Sequence, residues 1–139
     1  MVVFAKRILM AMIRFHQEGK YMKLVVFNVG SALCVYAEHQ TTRIVFDIGK
    51  GNNFSPVNDF LLPLYEKRGE HRLKNRNNRY GISQLIVSHP HKDHISDIQE
   101  FDKNFYAHLL TTPNSKSPNG NPQNINWRKI TTPDDPDVK

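Results

Sequence analysis

From Lys23 onward, apolar positions fall in short runs divided by glycines and polar turns. "KLVVFNV" predicts a strand, "SALCVYAE" after Gly30 a second, and "RIVFD" a third that ends at Asp47, with "HQTT" turning between the last two. Gly49, Gly51 and two asparagines follow as a loop. In "SPVNDFLLPLYEKRG" the period changes. Phe60, Leu61, Leu64 and Tyr65 give it an apolar face, Ser55 can cap the start, Pro56 suits the first turn and Gly69 the end. Pro63 should kink or divide this helix. "SQLIVSH" predicts another strand, whose unbroken Leu85, Ile86 and Val87 suggest burial on both faces. A short helix, "ISDIQEFDKNF", with Ile95, Ile98 and Phe101 on one side, and a strand, "YAHLLTT", complete the patterned region. Strands interleaved with helices imply a layered α+β fold.

The two ends differ from this. Residues 1–21 contain "VVFAKRILMAMIRF", apolar but broken by Lys6, Arg7 and Arg14. The apolar run Ile8 to Ile13 is too short to span a bilayer, so no integral membrane segment is expected. It also lacks the order and cleavage site of a secretory signal. A short helix or an unordered extension is expected, with an amphipathic interfacial helix as the alternative and Met22 as a natural start. Residues 113–139 hold five of the eight prolines and few apolar residues beyond Ile125, Trp127 and Ile130, and are expected to be a long loop or tail. Residues 22–112 are left as one domain, in keeping with a length of 139.

A net charge of +6 favours polyanionic partners such as nucleic acid or phosphate esters, though a solvated basic surface gives the same total. Residues 66–79 concentrate that charge, with six Lys and Arg against two Glu. Arg72, Lys74, Arg76 and Arg79 are the candidate phosphate contacts there, flanked by Tyr65 and Tyr80. The single cysteine, Cys34, excludes an internal disulfide framework, fits a reducing, cytoplasmic setting, and lies in an apolar run as a core residue.

The densest chemistry is "HPHKDH", residues 89–94, which takes three of the seven histidines into six positions. It leaves the end of an apolar strand, where open sheets tend to place their sites. In extended chain His89 and His91 point the same way, while Asp93 and His94 reach a second point at the turn into the next helix. Imidazole with carboxylate suits Zn, and also Fe or Mn. Such an ion makes hydroxide available near neutral pH.

These residues resemble the HxHxDH motif of the metallo-β-lactamase fold superfamily. Upstream, "FNVGSALCVYAEHQTTRIVFDIGKG" is similar to the family's opening strands, which end in an Asp-x-Gly turn, here Asp47-Ile48-Gly49. The likeness is closest to the branch with the hydrolase domain of competence-type DNA-uptake proteins, although Ser31-Ala32 replace that branch's usual continuation of the glycine turn. It implies the first ββα half of an αββα sandwich, with a mixed sheet and helices on one face. It further implies a two-metal site with His89 and His91 on the first ion and Asp93 and His94 on the second. Asp93 would also act as the catalytic group on the attacking water, and Asp47 would hold the His loop from behind. The expected activity is attack of metal-bound hydroxide on an ester or phosphodiester. The alternative is an inactive fragment or a basic nucleic-acid-binding module without turnover. The family's later ligands have no counterpart after His94, since His108 lies on a strand too near the motif and Asp134, Asp135 and Asp137 match nothing. The chain therefore reads as a truncated domain, to be completed by a missing C-terminal half or by a second copy in a homodimer.

Overall fold

A computed structural model describes residues 11–17, 20–70, 78–88 and 91–111, with residues 11–17 and 20 described by their backbone alone. Six strands form one sheet in sequence order. β1 (Ala11–Gln17), β2 (Lys20–Val26), β3 (Cys34–His39) and β4 (Thr42–Ile48) make an antiparallel meander. β5 (Tyr80–Ile86) lies parallel to β4, and β6 (Phe105–Thr111) parallel to β5. A parallel neighbour needs a long crossover. The first carries a turn of π-helix, Pro56–Leu61, running into α1 (Leu62–Lys67); the second carries α2 (Lys92–Ile95) and α3 (Ile98–Asn104). The fold is α+β with a mixed sheet, and sheet predominates.

Register shows which side of the sheet is covered. Val25, Tyr36, Val45 and Leu85 stand abreast across β2 to β5 and are all fully buried. Val57, Leu61, Tyr65, Ile98 and Phe101 of the helical segments join the same core, and Phe60 meets the Tyr36 ring at 5.9 Å. The neighbouring row, Val26, Val35, Phe46 and Ile86, faces the other way. There Val26 and Phe46 are 36% and 37% exposed. Tyr65, Tyr80, Phe101 and Phe105 close the core beside β6 with ring centroids 5.2–5.6 Å apart. Each such buried ring or branched side chain contributes on the order of 1.5–3 kcal/mol relative to exposure.

Local sequence signals explain the first crossover. Ser55 accepts a hydrogen bond from the Asn58 amide at 3.0 Å, and Pro56 occupies the first turn. Pro63 has no amide proton to give the carbonyl four residues back, and the winding changes beside it: the Leu62 amide donates five residues back, to Val57. Gly69, at φ +64°, ends α1, where the Glu70 amide donates to Tyr65 at 3.0 Å.

Three expectations are corrected. Ala11–Gln17, expected as a helix or an unordered extension, is β1, paired antiparallel with β2 through Ile13 opposite Leu24 and Phe15 opposite Met22. Ile13 and Phe15 alternating with Arg14 and His16 were the strand signal, obscured by the basic residues scattered through the apolar stretch. The helix around "ISDIQEFDKNF" is two helices broken at Ser96-Asp97, although Ile95, Ile98 and Phe101 are all buried as expected. Leu85 and Val87 are fully buried but Ile86 is partly exposed, so β5 is not covered on both faces. The segment 113–139 lies outside the described residues.

The break in the second crossover has a side-chain cause. Asp97 is buried, its amide donates to Ile48 at 2.8 Å, and its Oδ2 accepts from Ser55 Oγ at 2.6 Å and from the Val57 amide at 3.0 Å. It thereby ties the α2–α3 junction to β4 and to the start of the first helical segment. Its Oδ1 is buried with no hydrogen-bond donor among the described residues. Burial raises the Asp97 pKa above the ordinary 3.8, against the pull of Ser55 and Val57. The folded chain thus holds this proton more tightly than the unfolded chain, so the group favours folding at low pH and loses that contribution as pH rises from about 3.8 through the raised value. Urea unfolding of the wild type and Asp97→Asn across pH 3.5–7 is expected to show wild-type stability falling relative to the variant over that window. A difference independent of pH would mean that Asp97 carries no such linkage.

Candidate metal centre at the ends of β4 and β5

The site begins with an irregularity in β4. Val35 pairs with Phe46 and Cys34 with Ile48, so Asp47 is an extra residue, a β-bulge. Its φ is +51°, a left-handed conformation that costs most non-glycine residues about 1–2 kcal/mol and Asp or Asn less. The bulge turns the Asp47 carboxylate toward the C-terminal end of the parallel neighbour β5. There it is 1% exposed, and three groups meet it. The Ser88 amide donates to Oδ1 at 2.7 Å, the Ser88 hydroxyl donates to Oδ2 at 2.8 Å, and His94 Nδ1 lies 2.7 Å from Oδ2.

A carboxylate can only accept, so His94 carries its proton on Nδ1 and, in the neutral ring, keeps the lone pair on Nε2. Nε2 lies 3.4 Å from Asp93 Oδ2. Two ligand bonds of about 2.0–2.2 Å meeting at a tetrahedral angle separate their atoms by about 3.4 Å. The Asp93–His94 pair therefore has the spacing of two ligands on one ion, and Asp47 behind the imidazole is the kind of group that fixes a ligating histidine.

The Asp-x-Gly turn closes against the same loop. A Cβ on Gly49 would lie 2.1 Å from the Asp93 carbonyl oxygen and 2.9 Å from that of Leu33. The Leu33 amide in turn donates to the Asp93 carbonyl at 3.3 Å, and the Lys50 amide donates to Ser96 Oγ at 2.8 Å. Only glycine allows this approach. Backbone just before β3 and just after β4 thus closes on the carbonyl of residue 93 in α2.

Other expected site residues are placed as follows. His91 is exposed at the start of α2, and its carbonyl accepts from the His94 and Ile95 amides. His89 lies outside the described residues. Among the described residues no three His, Cys, Asp or Glu side chains converge as a ready ligand set. Arg72, Lys74 and Arg76 lie outside the described residues. Arg79 is engaged inside the fold, donating to the Asp102 carboxylate at 2.7 Å and to the Asp102 carbonyl at 2.8 Å. Arg68 pairs with Glu38, Arg43 pairs with Glu38 and Glu70, and Arg43 lies over the Tyr65 ring at 4.7 Å. Tyr65 and Tyr80, which flank the basic segment, are buried against each other rather than offered to a ligand. His108 sits on β6, with Nε2 3.3 Å from the Tyr106 hydroxyl. Ser88 was not foreseen; its position, directly before the histidine motif, was the signal.

Comparison with protein-family models, with curated proteins and with solved structures found no match.

Three substitutions at two positions test the geometry by urea unfolding. Gly49→Ala forces a methyl group into backbone that cannot yield, and a loss of about 3 kcal/mol or more is expected. Unchanged stability would mean that the turn does not seat against residue 93. Asp47→Asn tolerates the left-handed backbone and keeps one acceptor, so a loss of about 1–2 kcal/mol is expected; Asp47→Ala strands the Ser88 donors and should cost about 3 kcal/mol or more. Equal small losses in both would sink the clasp.

Proposed function

We propose that this chain is a metal-dependent hydrolase of the metallo-β-lactamase fold, acting on an ester and foremost on a phosphodiester. One observation carries the reading: Asp47 fixes Nδ1 of His94 while Nε2 meets the Asp93 carboxylate at 3.4 Å. That donor set suits Zn, with Fe or Mn as alternatives. Asp93 and His94 would hold one ion, and His89 and His91, from the same loop, another. When bound, the metal would supply a Lewis acid and a hydroxide nucleophile at neutral pH. The chain's own residues do the rest. Asp47 keeps the proton on Nδ1 of His94, and Gly49 keeps the backbone of residue 93 in place. Asp93, whose side chain is 47% exposed, orients the attacking water and takes its proton.

In this reading the sheet is the first ββα half of an αββα sandwich. The support is the second face of the sheet, where Val26, Phe46 and Leu109 are 36–38% exposed. A further half-domain or a second copy of the chain would cover it. The net charge of +6 favours a second reading, a nucleic-acid-binding module without turnover. Such a module would hold no metal and keep its affinity in chelator.

Metal content separates the two readings. Purified without a polyhistidine tag, the chain is expected to carry about one to two ions of Zn, Fe or Mn, lost in His89→Ala/His91→Ala and in Asp93→Ala/His94→Ala. Asp47→Asn should weaken retention by about 10–100-fold. Elemental analysis showing metal near zero, equal in all of these proteins, would end the hydrolase reading for this chain.

A further inference from the structure

The clasp around Asp93 borders a cleft that the sequence did not announce. Two adjoining hollows of about 590 and 570 Å³ share Ser31, Lys50, Gly51 and Asn52 in their walls. The first extends to Phe54 and the second to Lys92 and Asp93. Lys50 lies between Gly49 and Gly51, and its amide is anchored on Ser96 Oγ at 2.8 Å, so the stem of the side chain starts from a fixed point beside Asp93. Lys50 and Lys92 are both exposed, and among the described residues neither ammonium makes an ion pair. The two carboxylates in the walls already face partners, since Asp59 accepts from the Ser55 amide at 2.7 Å and Asp93 meets His94. The cleft therefore presents two cations that make no ion pair among the described residues, with hydroxyl and amide groups, near the candidate catalytic carboxylate, and the half-buried Phe54 ring in the wall of the adjoining hollow. A hollow of this size is large enough for a nucleotide-sized group.

We infer that Lys50 and Lys92 form the anion subsite of the candidate hydrolase, holding phosphate groups of a single-stranded phosphodiester beside Asp93. A basic groove with amide and aromatic lining is how single strands are held without sequence preference. The inference rests on the hydrolase reading for its chemistry, but binding itself needs no metal. It adds the loop after β4 and the first turn of α2 to the phosphate contacts expected at Arg72, Lys74 and Arg76, which lie outside the described residues.

The test is fluorescence anisotropy of a labelled single-stranded oligonucleotide of about ten nucleotides, in chelator and across a salt series, with the full chain. Lys50→Ala/Lys92→Ala is compared with Lys67→Ala/Lys103→Ala, which removes the same charge from outside the cleft. The cleft variant is expected to bind about tenfold more weakly, and its salt slope to fall by about 1.4, since each phosphate neutralised on a single strand contributes about 0.7. The control pair should change affinity by about twofold or less, because distant surface charges are screened. Equal weakening in both pairs, an unchanged cleft variant, or a wild type that does not bind the strand would each overturn the subsite. The metal content of the cleft variant, read in parallel, separates the two claims. Retained metal with unchanged binding removes the subsite and leaves the hydrolase reading, whereas absent metal with a cleft-specific loss of binding does the reverse.

Discussion

Burying a carboxylate requires donors, and Asp47 sets that requirement for the whole site. At 1% exposure its oxygens have almost no water, so the chain must supply the hydrogen bonds. It does so from two places: the Ser88 amide and hydroxyl at the end of β5, and His94 in α2. Those contacts fix how the loop leaves β5 and where α2 begins. They also account for the bulge in β4, since a regular strand would point residue 47 along the alternation of its neighbours rather than across the sheet ends. The grip of Gly49 and Leu33 on residue 93 completes the constraint from the other side.

What could be read in the sequence follows interaction range. The strands from Lys23 to Ile48, the Ser55 cap, the disturbance at Pro63 and the Gly69 stop are decided within a few residues and were legible. So was the chemical character of the loop 89–94, because it is written in consecutive residues. The split between α2 and α3 was not legible: Asp97 acts by reaching Ser55 and Val57, about forty positions back, and no local pattern announces that reach. Arg79 illustrates the same limit. In sequence it belongs to a basic run, whereas in the fold its partner is Asp102, twenty-three residues on. Strand β1 was lost for a different reason, since basic residues scattered among apolar ones disguised an alternation that β2 completes.

Charge placement changes the functional picture more than net charge does. Of the basic run, Arg68 is spent on Glu38 and Arg79 on Asp102, and Arg43 joins Glu38 and Glu70 above the Tyr65 ring. Such partly exposed networks orient loops more than they stabilise the fold, each pair contributing about 0–1 kcal/mol. Positive charge near Asp93 comes instead from Lys50 and Lys92, which no composition argument would single out.

The left-handed backbone at Asp47 bears on what the carboxylate is for. The bulge alone would be served better by glycine, which meets a φ of +51° without the penalty that aspartate bears. A tie to Ser88 alone would need no imidazole. The structure instead combines an unfavourable backbone conformation, a fully buried carboxylate and a histidine whose ring is turned so that Nδ1 faces inward and Nε2 faces the Asp93 oxygen. Stability is reached more cheaply by packing, and strained residues gather where geometry matters to chemistry. Under the proposed hydrolase reading, the position and tautomer of His94 are what this arrangement secures.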